Sequence, residues 1–177
     1  MRRFVSAVTC LLLLVGAAFA DERGPSTLAE RKHALEVIEK LEADPMNPSL
    51  AKEREWINDW VFSVPDVHVV LCTAMIKPLL DEQNSDPRKA LMLQNLLAMA
   101  AFEIKSPEKA KDTVQMQMAG AEGMIRAYSN ITRRMPSYKS EFMEDLRAKS
   151  ENGKLESFVR ESAAECHAHS PGTMLKP

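Results

Sequence analysis

The sequence predicts an all-α protein of about seven helices in an irregular bundle of helical hairpins, and three observations carry that prediction. Apolar residues recur at three- and four-residue spacing in one segment after another beyond residue 27. Asp86-Pro87 and Ser106-Pro107 each set a capping residue before a proline at the first helical position, where the absent N–H costs nothing. Only six glycines occur in 177 residues, and a single segment has strand character, with no second one to complete its ladder.

Taken in order, the elements begin at Ser26-Thr27, whose hydroxyl spacing to Glu30 forms a capping box ahead of Leu28, Ala34, Leu35, Ile38 and Leu41. That first helix ends at Asp44-Pro45. A second starts at Ser49, sets Trp56 and Trp60 on one face and stops at Pro65. The third, Asp66 to about Gln83, contains Val67, Val69, Val70 and Leu71; for want of a partner strand it is expected to be a helix, bent at Pro78.

The fourth helix, Pro87 to Lys105, is apolar around most of its circumference and should be central. The fifth, Pro107 to about Arg134, sets Ala110, Val114, Met118, Ala121, Ile125 and Tyr128 on one stripe, with Gly120 and Gly123 admitting a close neighbour. Tyr138, Phe142 and Leu146 mark a sixth. Leu155, Phe158, Val159, Ala163 and Cys166 mark a seventh, after the turn at Asn152-Gly153.

An offset of 42 relates Asp44-Pro45 to Asp86-Pro87, Pro65 to Pro107 and Trp60 to Phe102, the period of a helical-hairpin repeat of tetratricopeptide-like or another kind. Against it, Pro136 falls out of step, and the tetratricopeptide residue pattern is unmet.

The N-terminus reads as a secretory leader. Arg2 and Arg3 precede an apolar run from Leu11 to Val15, and Ala18-Phe19-Ala20 offers a small-x-small cleavage site before Asp21. Cleavage after Ala20 removes residues 1–20, two arginines among them, and leaves 157 residues with a formal charge of -4 in place of -2. The expected organisation is a leader over 1–20, one helical domain over 21–168 and a flexible tail over 169–177. No later stretch is apolar for long enough to span a bilayer, so the processed chain should be exported, to a periplasm or outside the cell.

Composition narrows the function. No dense Lys/Arg run forms the basic stripe that nucleic acid requires, and no glycine spacing makes a phosphate cradle. No G-x-S-x-G, H-E-x-x-H or C-x-x-C-H pattern is present, and the acids alternate with bases as in Lys52-Glu53-Arg54-Glu55, a solvated helix face. His33 lies among charged neighbours and reads as solvated. Neither a catalytic residue nor a cofactor is indicated.

Cysteine carries the sharpest signal. Cys10 leaves with the leader, so Cys72 and Cys166 remain as an even pair in an oxidising compartment, where a disulfide is the expected state. Joining them closes a loop of about 95 residues, for which chain entropy gives at most about 4.6 kcal/mol. The alternative is metal handling. His68 and Cys72 would share a helical face, and Cys166, His167 and His169 stand together, a donor set suited to zinc or copper. Met116-Gln117-Met118 could suggest Cu(I), but residues two apart on a helix point in nearly opposite directions, which leaves core filling. Trp56 and Trp60 likewise read as core anchors. Asn130-Ile131-Thr132 fits the glycosylation pattern but sits inside a helix.

Val64-Pro65-Asp66-Val67 leading to Leu71-Cys72 and Pro78-Leu79-Leu80, then Met99-Ala100-Ala101-Phe102, then Phe158-Val159-Arg160 ending in Cys166, resembles a group of uncharacterised exported bacterial proteins. The resemblance covers most of the processed chain and implies a bacterial envelope or extracellular setting. It brings no activity, cofactor or catalytic residue. The resulting expectation is a non-enzymatic binding or scaffolding protein whose partner is another cell-envelope or secreted protein.

Overall fold

A computed structural model describes residues 23–169, with side chains through residue 166. The leader and residues 170–177 of the expected tail lie outside the described residues. Within them the chain is all-helical, with seven α-helices: α1 (Leu28–Ala43), α2 (Ala51–Ser63), α3 (Thr73–Asp81), α4 (Asp86–Lys105), α5 (Thr113–Arg134), α6 (Glu141–Glu151) and α7 (Leu155–His169).

The starts of the helices follow local chemistry. Thr27 and Glu30 complete the capping box of α1, the Glu30 N–H donating to the Thr27 hydroxyl and the Thr27 N–H to the Glu30 carboxylate. A 3₁₀ turn over Pro48–Leu50, capped by Asn47, leads into α2. Ser85 rather than Asp86 caps α4, so Pro87 falls one place deeper in the first turn than the sequence suggested.

The start of α5 needs a larger correction. Pro107 opens only a 3₁₀ turn over Pro107–Lys109, and the α-helix begins at Thr113 under the side chain of Asp112. Gly153, with φ of 68°, makes the tight turn between α6 and α7, a conformation that suits glycine because it has no Cβ.

The third expected helix is corrected most. Residues 65–72 are not helical: a turn at Pro65-Asp66 is followed by a straight run without hydrogen-bonded turns, and α3 starts only at Thr73. The β-branched residues that gave this stretch its strand character keep it extended, and side chains of neighbouring helices take the place of a partner strand. Pro78 lies inside α3, as expected.

The helix α4 is central. It packs on α5, α1 and α2, while α5 also meets α7, α1 and α6, and α3 leans on α7 and α6. Two cores result. One gathers Ala34, Val37, Ile38, Leu41, Ile57, Trp60, Val61, Val64 and Val67 with Leu97 and Ala100 of α4. The other gathers α3, α5, α6 and α7 around Met75, Ile76, Met124, Tyr128, Met143 and Val159, with Leu91 of α4 at its edge.

Two stripe assignments shift. Leu28 is 86% exposed, outside the α1 stripe. On α5 the buried line runs through Met116, Gln117, Gly120, Ala121, Met124, Ala127 and Ile131, leaving Val114, Met118 and Ile125 only half-buried at its side.

The seam between α4 and α5 is closed by glycine. A Cβ on Gly123 would stand 2.3 Å from the Ala98 methyl, and one on Gly120 would stand 2.6 Å from Asn95 Nδ2, so both positions exclude any side chain without movement of a helix. The residues at the 42-residue offset occupy unequal places. Trp60 and Phe102 both accept the closing N–H of their helices, from Val64 and Ser106, whereas Asp44 ends α1 and Asp86 begins α4.

Candidate functional site

Residues 66–72 form a strap across the ends of the helices, anchored at every second residue. Asp66 accepts from the Ser26 N–H (2.7 Å) and hydroxyl (2.8 Å) and pairs with Arg31 of α1 at 2.6 Å. The His68 N–H donates to Glu103 of α4 at 2.6 Å, with the imidazole Nδ1 3.4 Å from the other carboxylate oxygen. The Val70 carbonyl accepts from Gln117 Nε2 of α5 at 2.5 Å. Cys72 then joins Cys166 of α7, with sulfurs 2.10 Å and Cα atoms 5.7 Å apart. One short segment thereby ties together α1, α4, α5 and α7.

Electrostatics favour the first anchor. Partial burial by itself would raise the Asp66 pKa, but the Ser26 N–H, the Arg31 guanidinium and the Ser26 hydroxyl together bring it down to about 2.

The sequence-derived metal set is taken apart by this geometry. His68 and Cys72 lie on extended backbone, not on one helical face, because Thr73 is the first helical residue. Cys72 and Cys166 are bonded to each other and offer no thiolate. His68 is half exposed and turned to Glu103. His167 and His169 lie in the last turn of α7, and their side chains are outside the described residues. Among the described residues no three His, Cys, Asp or Glu side chains converge as metal ligands.

Other singled-out residues serve packing. Trp60 is buried and stacks at 6.0 Å on Trp56, which in turn meets the His33 ring at 4.4 Å, so His33 caps an aromatic ladder and is not simply solvated. Met116 is buried, and Met118 lies half-buried beside it. The Asn130 amide donates to the Glu42 carbonyl at the end of α1.

Two acids meet at the start of α6. Glu82 accepts from the Ser140 hydroxyl (2.6 Å) and the Phe142 N–H (3.4 Å), and Glu144 accepts from the Tyr128 hydroxyl (2.7 Å) and pairs with Arg147. Burial and the Glu144 carboxylate push the Tyr128 phenol up to about 12. Both carboxylates are engaged in fastening the turn before α6, and the adjoining 450 Å³ cleft is lined by Pro78, Ser85, Tyr138 and Phe142.

The largest hollow, about 590 Å³, runs between α2 and α4. Met46, Ala51, Ala90 and Leu93 give it an apolar floor, and Arg54, Glu55, Asp59, Asp86 and Lys89 form the rim. Arg54 is committed to the Pro45 and Asn47 carbonyls and Lys89 to Asp86. Glu55 and Asp59 have no ion-pair partner among the described residues, which leaves the α2 side of the rim acidic.

Sequence reasoning missed the anchors Glu103 and Gln117 and the buried amides Gln94 and Asn95 on α4. A polar residue on a helix apolar all round was the available signal. Set against protein-family models, curated proteins and solved structures, the chain matches none of them.

Proposed function

We propose that the chain is an exported, non-enzymatic helical binding or scaffolding protein whose partner is another cell-envelope or secreted protein. The groove between α2 and α4 is the observation that carries this reading. Its apolar floor suits one or two apolar side chains, and the uncompensated Glu55 and Asp59 on its rim suit flanking Lys or Arg. The occupant is therefore a polypeptide segment with basic residues beside apolar ones. The leader pattern of residues 2–20 and the Cys72–Cys166 bond support the exported setting.

The test is photo-crosslinking from Asn58, which also lines the groove, in the native host. A crosslinked protein should be recovered, and the combined substitution Glu55→Lys and Asp59→Lys should abolish it while leaving the helical circular dichroism intact. An undiminished crosslink in the charge-reversed variant, or none in the parent, would sink the groove as the binding site.

A further inference from the structure

We infer that the outer edge of the strap, at Val69 and Leu71, is a strand-addition site that takes an extended, β-branched-rich segment of a partner polypeptide. The inference is independent of the groove between α2 and α4 and rests on how the strap spends its main-chain groups. In extended backbone the N–H and C=O of one residue point to the same side, and those of the next residue point to the opposite side.

The two main-chain groups of residues 67–71 that are bonded, the His68 N–H and the Val70 C=O, belong to residues of one parity and face Glu103 and Gln117. The other parity faces away. Val67, Val69 and Leu71 make no main-chain hydrogen bond among the described residues.

Val67 is buried, whereas Val69 and Leu71 are only half-buried and Val70 is 39% exposed, so the reachable groups are the N–H and C=O of Val69 and the N–H of Leu71. Donors and acceptors at two-residue spacing along a straight run are complementary to another extended chain and to little else. Most edges of this kind can slip or bend away. This one is held straight at both ends, by Asp66 on α1 and by the Cys72–Cys166 bond, so a partner meets an ordered template.

A second copy of the chain is a poorer occupant than a partner segment. Two straps paired about Val69 would form only a few main-chain bonds and bury far less than the roughly 1,200 Å² that a stable dimer of whole domains needs. An extended peptide has no such requirement, since it adds side-chain contacts on both faces of the strap.

The probe is a synthetic Lys-Thr-Val-Thr-Val-Thr-Lys peptide added to the disulfide-bonded chain, with amide hydrogen exchange read residue by residue. In the free protein the Val69 and Leu71 amides should exchange quickly, and the peptide should slow them. Val69→Pro, which deletes an outward N–H, should weaken the peptide about tenfold, while Val70→Pro, which deletes an inward N–H without a partner, should leave affinity within about twofold. Equal loss in both variants, a Val69 amide already slow in the free protein, or no slowing by the peptide would overturn the assignment. Concentration-dependent protection of Val69 without peptide, with a dimer in sedimentation, would overturn it too by making the occupant a second copy. Should either proline variant fail to fold, the exchange measurements on the parent chain decide alone.

Discussion

The α4–α5 seam and the strap over residues 66–72 both hold the same helices together, by opposite means. At the seam, Gly120 and Gly123 let two backbones approach so closely that a single methyl cannot be added, and the contact is continuous along the helices. At the strap there is almost no continuous contact, only four anchors at alternate residues: an ion pair, two hydrogen bonds to main-chain groups and a disulfide. Close packing is cooperative and fails as a unit. Point anchors fail singly, and only the covalent one acts through the unfolded state as well.

Removing the disulfide should have the largest effect. Cys72→Ala with Cys166→Ala should lower stability by about 3–4 kcal/mol in urea unfolding, short of the chain-entropy limit because denatured chains retain structure. A loss below about 1 kcal/mol would mean that the noncovalent anchors and the buried face of α3 already hold the strap.

The seam is probed by Gly123→Ala. Helix propensity alone would favour alanine by about 1 kcal/mol, but a Cβ 2.3 Å from the Ala98 methyl forces the helices apart, for a net loss of about 2 kcal/mol in the same assay. Stabilisation instead would show that α4 and α5 can separate at no cost, and the contrast with the strap would collapse.

This contrast also explains what was legible in the sequence. The seam was, since Gly120 and Gly123 stand three apart on an otherwise apolar helix and the neighbour they admit was expected from that spacing. The disulfide was as well, because an even pair of cysteines behind a leader pattern needs no geometry to be paired. The strap was not. Val67, Val69, Val70 and Leu71 announced extended backbone, but a strand without a second strand was set aside as an unpaired ladder.

What satisfied that ladder was Glu103 and Gln117, side chains 35 and 47 residues away in sequence. Tertiary partners of this kind leave no periodic trace. The same blindness moved the start of α5, where Ser106-Pro107 opened a turn and Asp112 the helix. The metal set fell with the helix that would have aligned His68 and Cys72.

The smallest effect belongs to the first anchor and depends on pH. Asp66 titrates at about 2 in the folded chain against an ordinary value of 3.8, so the folded state favours the carboxylate. A depressed folded pKa contributes stability that is complete above about pH 4 and is lost as pH falls through about 2. The Asp66 side chain is 23% exposed and Arg31 33%, so solvent screens part of the shift and the contribution is about 1–2 kcal/mol, not the full value of the shift. Urea unfolding between pH 4.5 and 2 should therefore show an acid-side loss of that size in the parent chain, and the same loss should be absent from Asp66→Asn, which is already weaker by that amount at pH 6. If both chains lose stability equally on acidification, the strap is not held at Asp66. It is then anchored to the helices only through Glu103, Gln117 and Cys166, with the turn at Pro65 free to open away from α1.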